Sequence, residues 1–298
     1  MAELAKNNST IPIVEEEKVI SPWKEAWNSF RKNKIALVGA FIVLFFVLIA
    51  ILAPFIAPQT ENEIALGNRL LPPSADYWLG TDDFGRDILS RIMYGARISL
   101  WVGFFAVLGS IVMGCALGII AGYYGKWVDT VISRIFDIML AFPSILLAIA
   151  IVSVLGPSLQ NALIAIAIIN VPNFGRLIRS KVLSVKQEEY IMAAKAIGMK
   201  DSRILFNHIL PNSMAPIIVQ GTLAIATAII ECAALGFLGL GAQPPEAEWG
   251  KMLADSKQYL IDAPWTMIFP GLAIMLTVLG FNLMGDGLRD ALDPRMKS

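Results

Sequence analysis

The sequence predicts an all-α integral membrane protein with six transmembrane helices, and three observations predict it. Of 298 residues, 56% belong to the apolar set AVILMFWYC and 16% are charged, against roughly 25% charged in a typical soluble domain, so polar surface is too scarce to face water all round. The stretch 35–53 runs for 19 residues without a charge, and at about 1.5 Å per residue it reaches ~28 Å, the thickness of a hydrocarbon layer. Further apolar runs at 100–121, 135–155, 162–174, 214–235 and 265–283 repeat that pattern.

Each span has its own limits. The first is expected to end at Pro54 and Pro58. In the second, Gly114, Gly118 and Gly122 recur every fourth residue and share one helix face, open to close backbone approach. Packing within the bundle accounts for that spacing, and contact with another subunit is the alternative. The fourth span is short and interrupted by Asn170, Pro172 and Asn173. Lys and Arg, counted over the connections on alternate sides, number 18 against 6. The positive excess marks the cytoplasmic side and places both termini there. The chain then divides into an N-terminal tail (1–34), a first span (35–53), an outer loop (54–99), a core (100–285) containing a long cytoplasmic loop (175–213), and a C-terminal tail (286–298).

Several function classes are excluded. Lys and Arg (24) balance Asp and Glu (24), leaving no basic excess for nucleic acid. Cys115 and Cys232 lie in apolar runs and read as small hydrophobes. The early acids Glu3, Glu15, Glu16 and Glu17 and the late first apolar run do not fit a cleavable secretory signal. The nearest approach to a phosphate loop, GIIAGYYGKW, fails at Ile120 and Trp127, so no ATP or Mg²⁺ is expected on this chain. The lone His208 has no ligand cluster around it, so no metal is expected.

Ion-coupled carriers need titratable groups at mid-membrane. Here the spans offer only Glu231, a candidate intramembrane polar site, and Asp137 near the end of the third span. Glu231 reads as a carboxyl facing a polar cavity or bonded to a neighbouring helix, and Asp137 as an interfacial residue near Arg134. An ion-coupled secondary transporter using Glu231 is the alternative reading. An intramembrane enzyme lacks paired catalytic groups, and a passive scaffold would need no organised loop. Energy for uphill transport is therefore expected from another subunit.

The long cytoplasmic loop looks structured. Residues 187–197 are good helix formers, Gly198 suits the left-handed position past a helix end, and Asp201 is placed to cap a second helix over 202–210. Pro211 marks the boundary with the fifth span. Ile204, Leu205, Ile209 and Leu210 supply an apolar stripe, while Ala193 and Ala194 leave a smooth surface. Such an element packs on its own bundle or enters a groove of a cytoplasmic partner. Met192, Ala193, Ala194, Gly198, Leu210 and Pro211 fall on the spacing EAA, three residues, Gly, nine residues, I-x-L-P, and the segment resembles the EAA loop of ABC-importer permeases. Met192 stands where that pattern has Glu, and His208 where it often has Ile.

Three further stretches extend the resemblance over nearly the whole chain: GTDDFGRDILSRIMYGARISL at 80–100, FLGLGAQPPEAEWG at 237–250 and GDGLRDALDPR at 285–295. Together they resemble the C-type subunit of oligopeptide and dipeptide permeases. The resemblance implies the type I ABC-importer permease fold, a second homologous permease, two ATP-binding cytoplasmic subunits and an extracytoplasmic substrate-binding protein, with ATP and Mg²⁺ on the partners. It places Asp82, Asp83, Arg86 and Asp87 on the outer face as candidate contacts for the binding protein. Read as residues alone, these four form a salt-bridged loop. The Gly- and Pro-rich stretch 237–250 shapes a turn or forms part of an outer gate. Arg289, Arg295 and Lys297 follow the positive-inside pattern. Dipeptides, longer peptides, glutathione-like thiols, opines and metal chelates all fit as cargo.

Overall fold

The computed structural model describes residues 22–292. The tail ahead of Pro22 and the segment 293–298, with Arg295 and Lys297, lie outside the described residues. The described residues fold as twelve α-helices: α1 (Pro22–Lys32), α2 (Lys34–Ile56), α3 (Ile88–Tyr124), α4 (Lys126–Leu140), α5 (Ser144–Leu155), α6 (Leu159–Val185), α7 (Glu189–Ala196), α8 (Asp201–Ile204), α9 (Leu210–Asn212), α10 (Met214–Phe237), α11 (Trp249–Ser256) and α12 (Trp265–Leu292). Among the described residues, five helices are long and apolar enough to cross a membrane: α2, α3, α6, α10 and α12. The pair α4 and α5 makes a sixth if counted as one span, but it is bent by 95°.

That bend replaces the straight third helix expected over 135–155. Pro143 lacks an N–H, and its ring disfavours helical backbone in Phe142 ahead of it. Helix α4 therefore closes at Ala141, and α5 starts again with Leu147 N donating to Pro143 O at 3.1 Å. Pro172 has no such effect. It is buried inside a continuous α6, where a spanning helix tolerates proline because neighbouring packing holds its shape. The fourth span is thus longer than 162–174 and takes in the first part of the expected loop 175–213. Pro54 likewise lies inside α2, which is capped by Asn33 through Ile35 N and Ala36 N (both 3.1 Å) and runs on to Ile56.

Helix α3 begins twelve residues before the expected start at Leu100, because the Asp87 carboxylate caps it by accepting from Ser90 N at 2.8 Å. The outer loop therefore ends at Asp87. At its other end α3 lies along α6, and the glycine row is the reason. A Cβ on Gly114 would stand 2.7 Å from Val171 O, on Gly118 2.4 Å from Gly175 O, and on Gly122 2.9 Å from Val182 Cβ. The glycine face packs within this chain. Helix α12 extends to Leu292, so most of the stretch 285–295 is helix and not tail. Its end packs on α1, where Phe30 and Ala291 share a buried cluster with Ala36.

Candidate functional site

The expected helix, turn and helix after the fourth span are present, with different caps. Helix α7 ends in a paired closure in which Gly198 N donates to Lys195 O (2.9 Å) and Met199 N to Ala194 O (3.1 Å). Gly198 takes φ +78°, the left-handed conformation that a residue with a Cβ resists. Asp201 does not cap. It is the first residue of α8, its side chain makes no cap bond, and Lys200 occupies the cap position. The Asp201 carboxylate instead accepts the Tyr123 hydroxyl from the end of α3. Lys186 Nζ donates to Tyr123 O at 2.6 Å, and the ammonium groups of Lys186 and Lys195 lie 5.4 and 5.2 Å from the Tyr123 ring centroid. One tyrosine thus joins the ends of α3 and α6 to α7 and α8.

The second helix is not the regular one expected over 202–210. Leu205–Ile209 forms a π turn, with Leu210 N donating to Leu205 O. Pro211, inside α9, has no N–H, and its ring would press on the carbonyl one turn back, so the wider turn removes that clash. Ile204 and Ile209 are fully buried, with Leu205 and Leu210 packed against the same cluster, so the apolar stripe faces the chain's own bundle. The opposite surface is open and carries large apolar side chains among charged ones such as Lys195 and Arg203. Ile197 is 79% exposed, Phe206 67% and Met192 55%. Ala193, Gly198 and Pro211 are exposed beside them, while Ala194 is buried. His208 is half-buried, its ring 6.1 Å from Tyr190.

Glu231 of α10 is 7% exposed. Asn170 Nδ2 of α6 donates to Glu231 Oε2 at 3.0 Å and also to Ile166 O at 3.0 Å. The carboxyl is therefore bonded to a neighbouring helix. Asp137 pairs with Arg134 at 3.7 Å and, across to α6, with Arg176 at 2.6 Å. Cys115 and Cys232 are buried free thiols.

At the other end of the bundle Asp82, Asp83 and Arg86 form one ion-paired turn, while Asp87 stands outside the pairing and accepts from Ser90. Asp82 Oδ2 lies 2.6 Å from Arg86 Nε and 3.5 Å from Arg91 Nε, and Asp83 lies 3.9 Å from Arg86. Asp82 Oδ1 accepts from Phe84 N and Arg86 N (both 2.9 Å). Asp87 and Arg86 are buried, leaving Asp82 and Asp83 part-exposed. Burial, followed by the Asp82 carboxylate, holds the Asp83 carboxyl above its ordinary value, and Arg86 pulls against both.

The stretch 237–250 contains a group that sequence reading missed. Glu248 is fully buried and caps α11, accepting from Gly250 N and Lys251 N (both 2.8 Å). Burial pushes its carboxyl up to about 7, although those two donors and the Ser99 hydroxyl favour the charged form. Beside it Trp249 is buried and donates to Ile92 O at 3.1 Å, tying α11 to α3. Glutamate is a poor N-cap by propensity, so local sequence carried little signal for this helix start. Tyr123 and Lys186 gave no local signal, and Asn170 stood out only as an interruption of the fourth span, since their partners lie far away in the chain.

The chain is similar to known proteins in sequence and in fold. The family described as binding-protein-dependent transport system inner membrane component matches residues 114–298, and the N-terminal TM domain of oligopeptide transport permease C matches 21–73. The dipeptide transport system permease protein of Alkalihalophilus pseudofirmus is 67% identical over 287 residues, covering 96% of this chain and 94% of that protein. The glutathione transport system permease protein of Pectobacterium atrosepticum is 47% identical over 291 residues, covering 97% of each. In fold, the chain is similar to the inward-facing MetNI methionine ABC transporter, with TM-score 0.56 and 18% identity over 69% of this chain and 98% of that one. These matches give the ion-coupled alternative no support. The chain belongs to the family of binding-protein-dependent transport system inner membrane components, as a permease subunit of the oligopeptide permease C type.

Proposed function

We propose that this permease forms half of the translocation pathway of an ATP-driven importer for peptides or peptide-like solutes, with the α7–α8 element as the contact for a cytoplasmic ATPase. In this reading both termini are cytoplasmic, α4 and α5 together supply the sixth span, and the other half of the pathway is a second, homologous permease. Two ATP-binding subunits carry ATP and Mg²⁺, and an extracytoplasmic binding protein delivers the solute to the end that holds Asp82 and Asp83. This chain hydrolyses nothing itself.

The observation that supports the contact is the division of α7–α8 into two faces. The inner face is locked to α3 and α6 through Tyr123, while the outer face leaves Met192, Ile197 and Phe206 uncovered. Exposed apolar side chains beside a fixed turn fit a groove on a partner. Movement of that partner would pass through Tyr123 to α3, provided the partner contacts the element differently in its two states.

The test is Gly198→Val. A β-branched residue at φ +78° deforms the turn, while no heavy atom lies within 4 Å of an added Cβ, so the core is spared. Normal membrane insertion with loss of ATPase subunits on copurification is expected. ATPase subunits that copurify at the native ratio would remove the assignment.

A further inference from the structure

Glu231 is the only acid in α2, α3, α6 and α10, and those of α12, Asp286 and Asp290, are exposed in its last turns. A carboxyl inside a spanning helix costs free energy and is retained where it pairs or serves a pathway. Among the described residues none of the ion pairs includes Glu231. The groups that face it are neutral: Asn170 of α6, at 3.0 Å, and Ser144, the first residue of α5 after the 95° bend. Three elements therefore converge on one carboxyl and supply no countercharge.

The carboxyl also has a polar route to the surface. Asn173 Nδ2 lies 3.5 Å from Asn170 Oδ1, and Asn173 itself is exposed. Thr227, one turn before Glu231 on α10, is exposed too. These residues make a short polar line from an open face of the helix bundle inward to a buried carboxyl. Its position is ~9 Å from the C-terminal end of α10, counted at about 1.5 Å per residue.

We infer that this line is a binding site for a primary ammonium group on the transported solute, with Glu231 as its counter-ion and Asn170 and Asn173 as the polar lining. The inference rests on the peptide reading above. A proton relay would need a second titratable group within reach, and Ser144, Asn170, Asn173 and Thr227 do not titrate in the relevant range. A bare metal ion would need several oxygen ligands, and no group of three acidic, His or Cys residues able to hold one occurs among the described residues. An ammonium needs one carboxylate and a few neutral acceptors. The amide oxygens of Asn170 and Asn173 are such acceptors, and they select for N–H donors over uncharged ends.

The complete transporter with its binding protein, reconstituted in proteoliposomes, tests this with three peptides: free trialanine, N-acetyl trialanine, and an N-acetyl peptide carrying one lysine. Maximal uptake is compared between the native protein and Glu231→Gln, which keeps size and an acceptor for Asn170. The binding protein is common to both, so its own discrimination cancels in the ratio. Glu231→Gln is expected to lower uptake of free trialanine about tenfold, the effect of losing roughly 1.4 kcal/mol of pairing, while N-acetyl trialanine changes less than twofold. A matching loss for the lysine peptide identifies any primary ammonium as the ligand, and no loss there restricts it to the peptide terminus. Glu231→Asp keeps the charge and should recover most of the preference. Equal losses for free and acetylated trialanine, or no change in either, would overturn the inference alone. A native complex that takes up none of the peptides would overturn the peptide reading and this site together.

Discussion

The Tyr123 hydroxyl donates to the Asp201 carboxylate across 78 residues of chain, and this bond joins the longest helix of the bundle to the first residue of α8. It is a direct polar link between the element carrying the exposed turn at Gly198 and the helix bundle, beside the apolar packing of Ile191 and Ile204. A hydrogen bond to a charged acceptor contributes about 1.5–3 kcal/mol. Tyr123→Phe keeps the ring beneath Lys186 and Lys195 and removes only the hydroxyl. Faster amide exchange across 189–204, by an order of magnitude, is expected in the assembled transporter, with transport per ATP reduced. Asp201→Ala should do the same, and the double variant should add little more, because both remove one bond. Additive effects would show that the two residues act separately.

The contact of α3 with α6 is set by backbone distance. Gly118→Val places a Cβ 2.4 Å from Gly175 O, well inside contact distance, and two packed helices must separate to admit it. Overpacking of this kind costs roughly 1–3 kcal/mol. The melting temperature of the purified permease should fall by several degrees, whereas Gly67→Ala, with no atom within 4 Å of its Cβ, should leave it unchanged. Equal melting temperatures for both variants would contradict the close approach.

Glu248 makes the start of α11 sensitive to pH. Its folded value, about 7, lies above the ordinary 4.5 because burial penalises the charge. The protonated form is the one the fold favours, so the stability it contributes is complete below about 4.5 and is lost as pH rises through about 7. Amide protection in 249–256, corrected for intrinsic exchange, should therefore decline between pH 5 and pH 8. In Glu248→Gln it should stay level. Parallel pH slopes in the two proteins would assign the decline to another group.

Local chemistry explains which parts were readable in advance. Apolar runs located the first, fifth and sixth spans, since removal of apolar area from water depends on composition over a short window. Gly198 announced its turn because positive φ is a property of one residue. Asp201 matters to the same element, but in a different role from the one its position suggests. An acid ahead of a helix suits a cap, and Tyr123, distant in sequence, competes for the same carboxylate. The outer-loop acids were read as a salt-bridged turn, yet the burial of Asp87 and its capping of α3 depended on a helix start that the apolar pattern placed twelve residues too late.

The sequence alone established a membrane-embedded helical protein, the turn at Gly198, the spacing of the α7–α8 element and the family it resembles. All of these are carried by neighbouring residues or by a motif read in register. The folded chain added the bend at Pro143, the uninterrupted passage of α6 through Pro172, the glycine contact of α3 with α6, and the bonds joining Tyr123 to Asp201 and Asn170 to Glu231. The two prolines show the reason. The same ring breaks one helix and leaves another intact, because the outcome turns on whether neighbouring helices hold the backbone in place, and those neighbours are assembled from residues far apart in the chain.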